Sequence, residues 1–191
     1  MSRHFASVLF LVLVSMFWLP SNSVYGQSAT DNGHISVLSA QLRDSANGWE
    51  LSAEVEIVLS REIRQGLESG VPLQFIVEFN IKRARTLWLD KTLLESEHRF
   101  SLIYYELTRH YRLQSVNTKK SRNYRSLLNA LDDLSHFQNL VVDRPDDFDD
   151  VGTLTGQVSV RLDGKTLPLP LQPLLSSTWR LASEEFTWSL N

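Results

Sequence analysis

"WELSAEVEIVL", Trp49 to Leu59, carries the clearest pattern in the chain. Trp49, Leu51, Ala53, Val55, Ile57 and Leu59 alternate with Glu50, Ser52, Glu54 and Glu56. Successive side chains of a strand point to opposite faces, so one face of this strand is buried and the other is wet. That is the signature of an antiparallel sheet with a solvated side. Just before it, "SANG", Ser45 to Gly48, contains Asn-Gly, the strongest short hairpin signal, because both residues tolerate positive φ. His34 to Arg43 is therefore expected to be the partner strand.

Downstream, Ser60 is placed to cap a short helix running to about Ser69, with Ile63 and Leu67 forming its apolar edge. Gly70 suits the left-handed residue that closes a helix, and Pro72 prevents its continuation. A strand is expected over Leu73–Ile81, where Leu73, Phe75, Val77, Phe79 and Ile81 share one face. The same parity then delivers Arg83 and Arg85, whose burial would cost several kcal/mol each unless they were paired. The strand is therefore expected to leave the core near Lys82 by a bulge, bend or turn. Leu87, Trp88 and Leu89 would begin a new extended segment.

Further strands are expected over Glu97–Tyr105, His110–Ser115, Asn139–Asp143, Leu154–Leu162 and Phe186–Leu190. A second helix is expected over Ser126–Phe137, with Leu127, Leu131 and Leu134 on one face. "LPLPLQP", Leu167 to Pro173, is extended and confined to an edge, since proline donates nothing to a ladder. The sum is seven to nine mostly sequential strands with two short helices. This predicts a mainly β fold: an antiparallel β-sandwich or a half-open barrel.

The N-terminus reads as a secretory signal. Arg3 and His4 precede an apolar run from Phe5 to Leu19, which Pro20 ends, and the expected cut falls after Gly26. The run is roughly 15 residues, short of the roughly 20 of a spanning helix, so an uncleaved inner-membrane anchor is the alternative. Residues 27–33 form a polar tether and residues 34–191 a single β-rich domain. The expected location is the periplasm.

Composition narrows the chemistry. Hydrophobic residues at 42% and charged residues at 21% are globular values, and the formal charge is −3. That charge gives no global case for nucleic acid as a partner. The chain has no cysteine, which removes thiol catalysis, disulfides and thiolate metal sites. The histidines at 34, 98, 110 and 136 show no HxH or HExxH spacing, so no metal site is expected. Asp147, Asp149 and Gly152 imitate part of a calcium loop, but Val151 and Val158 stand where oxygen ligands belong. "DRPDDFDD", Asp143 to Asp150, is read instead as a solvated acidic loop. "GKT", Gly164 to Thr166, lacks the earlier glycine of a phosphate loop, because position 159 is serine. No G-x-S-x-G is present, and the carboxylate pairs Glu54/Glu56 and Glu184/Glu185 read as a wet strand face and an exposed turn. No catalytic residue and no cofactor are assigned.

Two cationic features remain. Arg83 and Arg85, with Trp88 and Asp90, form a corner that could serve as a contact surface. From Arg109 to Arg125 there are six cations and two tyrosines with no acid. Within that block Arg109 and Arg112 are candidates for an acidic partner surface or weak contact with anionic headgroups. The plain alternative is a cationic hairpin that balances the acidic loop.

Several stretches together resemble a proteobacterial envelope family, the domain-of-unknown-function family numbered 4390. They are the signal-like N-terminus, "LSREIRQGLESGVPLQFIVEFNIKRARTLWLD" (Leu59 to Asp90), "LTRHYRL" (Leu107 to Leu113), the Leu127–Leu131 helix, "LPLPLQ" (Leu167 to Gln172) and the tail around Trp179 and Trp188. The family often carries paired aromatics before the aspartate, whereas Leu87-Trp88-Leu89 precedes Asp90 here. The resemblance implies an exported Gram-negative protein and no assigned activity. It also implies an association with a membrane sensor histidine kinase of the nitrogen-regulation type, encoded nearby in many members. The first functional reading is a non-enzymatic envelope module that binds a protein or ligand, its partner an envelope or inner-membrane protein. The alternatives are a structural or assembly factor of the envelope and an enzyme on cell-wall or lipid material.

Overall fold

The computed structural model of the chain describes residues 32–46, 48–84, 91–143, 153–164 and 179–190. The expected signal, most of the tether, Arg85 to Asp90, most of the acidic loop and Leu167–Pro173 lie outside these residues. The described elements run β1 (His34–Ser45), β2 (Gly48–Val58), α1 (Arg61–Glu68), β3 (Leu73–Arg83), β4 (Lys91–Tyr105), β5 (His110–Ser115) and β6 (Ser121–Tyr124). They continue as α2 (Leu127–Ser135), β7 (His136–Val142), β8 (Leu154–Leu162) and β9 (Phe186–Ser189).

The strands form two antiparallel sheets, β1-β2-β7 and β6-β5-β4-β3-β8-β9. Of the two architectures expected, the sandwich is the one that forms, since neither sheet closes on itself or on the other. The first hairpin pairs Ser45 with Gly48, and Leu51, Ala53, Val55 and Ile57 all turn into the core. They meet Phe75, Val77, Phe79 and Ile81 of β3, none of which is exposed. Burial of each such aliphatic or aromatic side chain stabilises the fold by about 1.5–3 kcal/mol, so the facing strands β2 and β3 dominate its energetics.

Helix α1 begins where the sequence indicates. Ser60 Oγ accepts the Ile63 N–H at 3.3 Å, and Ile63 and Leu67 are fully buried. It ends on Gly70 at φ 87°, with Gly70 N–H donating to Leu67 O and Val71 N–H to Gly66 O, both at 2.9 Å. A side chain at Gly70 would be strained in that left-handed conformation.

The C-terminal tail lies along β8. Leu162 N–H donates to Leu181 O, Ser183 N–H to Val160 O, and β9 then pairs with residues Thr155–Val158. Its tryptophans rest on glycines. A Cβ on Gly156 would stand 2.6 Å from Trp188 Cζ2, and one on Gly66 would stand 2.5 Å from Trp179 Cη2. Trp188 in turn stacks on Phe79, ring centroids 5.9 Å apart. The tail is thus seated on both α1 and the central sheet, and only glycine leaves room for the indoles.

Three expectations are corrected. The fourth strand starts at Lys91, six residues before the expected Glu97. Its register against β3 slips between Ile81 and Lys82, and beyond the slip Ser96 and His98 occupy inward positions opposite Phe79 and Val77. Those polar residues hide the alternation. Second, Ser121–Tyr124 is a strand, β6, within a block read as hairpin and loop. Third, α2 stops at Ser135 and β7 begins at His136, where helix was expected through Phe137 and a strand only from Asn139. Pairing of Phe137 with Ala53 and of His136 with Glu54 overrides the local helical pattern. Ser126 caps α2 as its sequence suggests, accepting from the Asn129 N–H, but Ala130 and Leu134 are its buried residues.

Candidate functional site

Of the six residues singled out in the sequence, Arg83, Arg109 and Arg112 are described. Arg83 closes β3, opposite Lys91 of β4 and Leu154 of β8. The expected irregularity lies beside it, but the slip is confined to the β4 side. The β3–β8 ladder runs without a break through Arg83, so the strand does not leave the sheet at Lys82. Arg85, Trp88 and Asp90 lie outside the described residues. Arg109 sits in the β4–β5 turn at φ 49°, and Arg112 lies over the Tyr105 ring, 5.4 Å from its centroid. Arg112 Nε also donates to Asn123 Oδ1 at 3.4 Å. Arg83 pairs with Lys91 at the start of β4, whereas Arg112 pairs with Ile103 and Arg109 lies past its far end, a separation of roughly 40–45 Å at about 3.3 Å per residue.

A different feature emerges from the unequal sheets. Strand β7 is the last strand of the three-stranded sheet, and it meets the larger sheet through Phe137 on Phe100, centroids 5.2 Å apart. The larger sheet continues past this contact with β5 and β6. Helix α2 covers one end of that shelf, burying Leu134 and Ala130. The rest is a groove of about 360 Å³. Its floor is Phe100, Leu113, Leu134, Phe137 and Leu140, and Lys120, Arg122, Asp133, His136, Gln138 and Asn139 stand around it. Among the described residues, no strand pairs with the side of β7 that faces away from β2.

The rim is biased toward positive charge. Asp133 is already engaged: Arg122 pairs with it, and the Tyr124 hydroxyl donates to it at 2.6 Å. The hydrogen bond with Tyr124 and the charge of Asp133 raise the Arg122 pKa, while partial burial raises that of Tyr124. His136 Nδ1 lies 2.8 Å from the Asp132 carbonyl oxygen. Only a protonated nitrogen donates there, which favours the imidazolium and raises the His136 pKa. Lys120 forms no ion pair among the described residues.

A second hollow, about 440 Å³, lies against the same strand. It is lined by Ser39, Gln41 and Arg43 of β1 and by Ser52 and Glu54 of β2, and it shares His136, Gln138 and Asn139 with the groove. The sharing has a local cause. Register between β2 and β7 slips between Leu51 and Ala53, and Asn139 takes φ 54°. Such a bulge adds residues to one strand and re-aims its side chains. Here it sets Gln138 and Asn139 at the margin of both hollows.

Lys120 and Arg122 are legible in the sequence as part of the cationic block, and the second half of β7 as the strand expected from Asn139, but its first residues, His136 and Phe137, read as the end of a helix. Phe137, Leu140 and Val142 are the inward residues of β7, and the bulge between the first two breaks the period-two spacing that would have marked them. Among the described residues, no group of three or more His, Asp or Glu side chains gathers as a metal site would require, and no helix is long and apolar enough to cross a membrane.

Neither a curated protein nor a solved structure matches the chain. The family described as Domain of unknown function (DUF4390) matches it over residues 32–189, which spans every described element of the sandwich. The chain belongs to that family.

Proposed function

We propose that this chain is a non-catalytic interaction module of the bacterial cell envelope, exported by its N-terminal segment and acting in the periplasm by holding another protein. The observation that carries the reading is the apolar-floored, cation-rimmed groove beside the side of β7 that pairs with no strand among the described residues. An apolar floor favours burial of partner side chains, and a charged rim selects among partners and speeds their encounter. A membrane sensor histidine kinase is the partner that the family resemblance suggests, and its periplasmic portion is where contact would occur.

The test is a photo-crosslinking residue at Gln138 in the full chain, expressed in its own cells. The expected result is one dominant adduct with an envelope or inner-membrane protein, lost when Lys120→Glu and Arg122→Glu are combined. Adducts spread evenly over abundant proteins, or a dominant adduct indifferent to the charge reversal, would count against the reading.

A further inference from the structure

We infer that β7 accepts one further strand, an extended acidic segment of the partner polypeptide that lays its backbone along the open side of β7 and its carboxylates beside Lys120 and Arg122. The inference rests on the interaction-module reading above and names the chemistry of the partner.

Three observations converge on it. A strand with a free side presents N–H and C=O groups in a row that only another backbone can satisfy in sequence. The two hollows lie against that same strand and meet at Gln138 and Asn139. An added strand sends alternate side chains to opposite faces of its sheet. One set would enter the groove. A helix docked in the groove would desolvate the β7 backbone without pairing it.

Charge selects the side chains. Lys120 and Arg122 line the groove, and its acid, Asp133, is already held by Arg122 and Tyr124. A carboxylate-bearing segment completes this arrangement and a cationic one is repelled. The bulge at Gln138 and Asn139 interrupts the ladder, so the paired length is short. Short pairing makes the side-chain contacts decisive for affinity.

The full chain, immobilised, is used to select from a display library of random peptides. Selected peptides are then synthesised and measured by calorimetry and by hydrogen exchange on the complex. The expected peptides carry net negative charge with apolar residues at alternate positions, and they slow exchange of amides within His136–Val142. Lys120→Glu combined with Arg122→Glu weakens them by roughly 10–100-fold, the loss expected for charge-assisted contacts. Because Arg122 also pairs with Asp133, Lys120→Glu alone is measured in parallel as the variant that leaves that pair intact, and it weakens binding by a smaller factor.

Failure to select any peptide, selection without acidic bias, or protection confined to other strands overturns the inference. So does protection of His136–Val142 in the free chain that disappears when Asp143, Asp146, Asp147, Asp149 and Asp150 are all changed to asparagine, since the chain's own acidic segment would then be the occupant. Protection that rises with protein concentration assigns the edge to a second copy and also overturns it. A dominant, charge-sensitive Gln138 adduct in cells together with non-acidic peptides would sink this inference while leaving the interaction-module reading standing.

Discussion

Phe137→Ala tests the contact on which both the sandwich and the groove depend. Phe137 is 4% exposed, pairs with Ala53 at the middle of β2 and packs its ring on Phe100 of the opposite sheet. It is the residue through which the last strand of the small sheet is pinned to the large one. Truncating a buried phenylalanine to alanine costs about 3–5 kcal/mol, from lost transfer energy plus the cavity left behind. In a chain of this size each kcal/mol lowers the melting temperature by about 2–4 °C, so the expected fall is about 6–20 °C. Urea denaturation followed by tryptophan fluorescence supplies the free energy, with Phe100→Ala and the double variant completing a thermodynamic cycle. The two rings should couple by about 0.5–1.5 kcal/mol beyond the area they bury. A loss below about 1 kcal/mol for Phe137→Ala would mean that the side chain is not buried as described. Strict additivity in the cycle would mean that the rings do not touch, and the account of the groove floor would fall with it.

Three other outcomes follow from the geometry. Gly156→Ala should destabilise by about 1–3 kcal/mol, because the new methyl meets Trp188, and Trp188→Leu in the same chain should recover part of that loss in urea unfolding. Burial lowers the His98 pKa below its ordinary 6.5; on acidification the unfolded chain takes up a proton that the folded chain resists, so stability present above the unfolded value is lost as pH falls toward the folded one. Melting curves at pH 7.5 and 5.5 should therefore diverge less in His98→Gln than in the unaltered chain, and equal divergence would remove His98 as a cause. Asn117→Ala should cost about 1–3 kcal/mol by deleting two hydrogen bonds, and it should quicken exchange of the Arg99 amide by NMR. The side-chain amide of Asn117 accepts from Arg99 N–H at 2.8 Å and donates to Glu97 O at 3.0 Å, continuing the ladder one step beyond β5.

The parts of the fold that the sequence revealed are those in which one rule acted alone. Strict alternation marked β2, β3 and β8, Asn-Gly marked the first hairpin, and Ser60 with Gly70 bracketed α1. The parts it concealed are those in which two rules competed. The first half of β4 turns Ser96 and His98 inward, so apolar spacing fails there. The junction of α2 and β7 is decided by pairing with β2, a partner more than eighty residues away. β6 contributes four residues, three of them exposed, and no alternation can be read from so short and wet a strand. The candidate site suffered most, because its wall includes the start of β7, which lies ahead of the bulge and reads as helix. Its cations were visible as a block, but only the topology shows that Arg122 turns toward the groove while Arg112 lies against Tyr105 on the opposite face of the sheet.

The two indole seats at Gly66 and Gly156 set the order of events when the chain is made. Trp179 and Trp188 come after β8 in the chain, yet they rest on α1, far earlier in the sequence, and on the central sheet. Until those residues leave the ribosome, Phe79 lacks its stacking partner and β8 lacks the neighbour that covers its outer side. Synthesis adds about 5–20 residues per second, so the interval between α1 and the indole that covers it is on the order of ten seconds. That delay keeps a nascent chain open to whatever machinery must handle it before it closes, and it makes a cut ahead of Trp179 a folding defect instead of a trimmed surface.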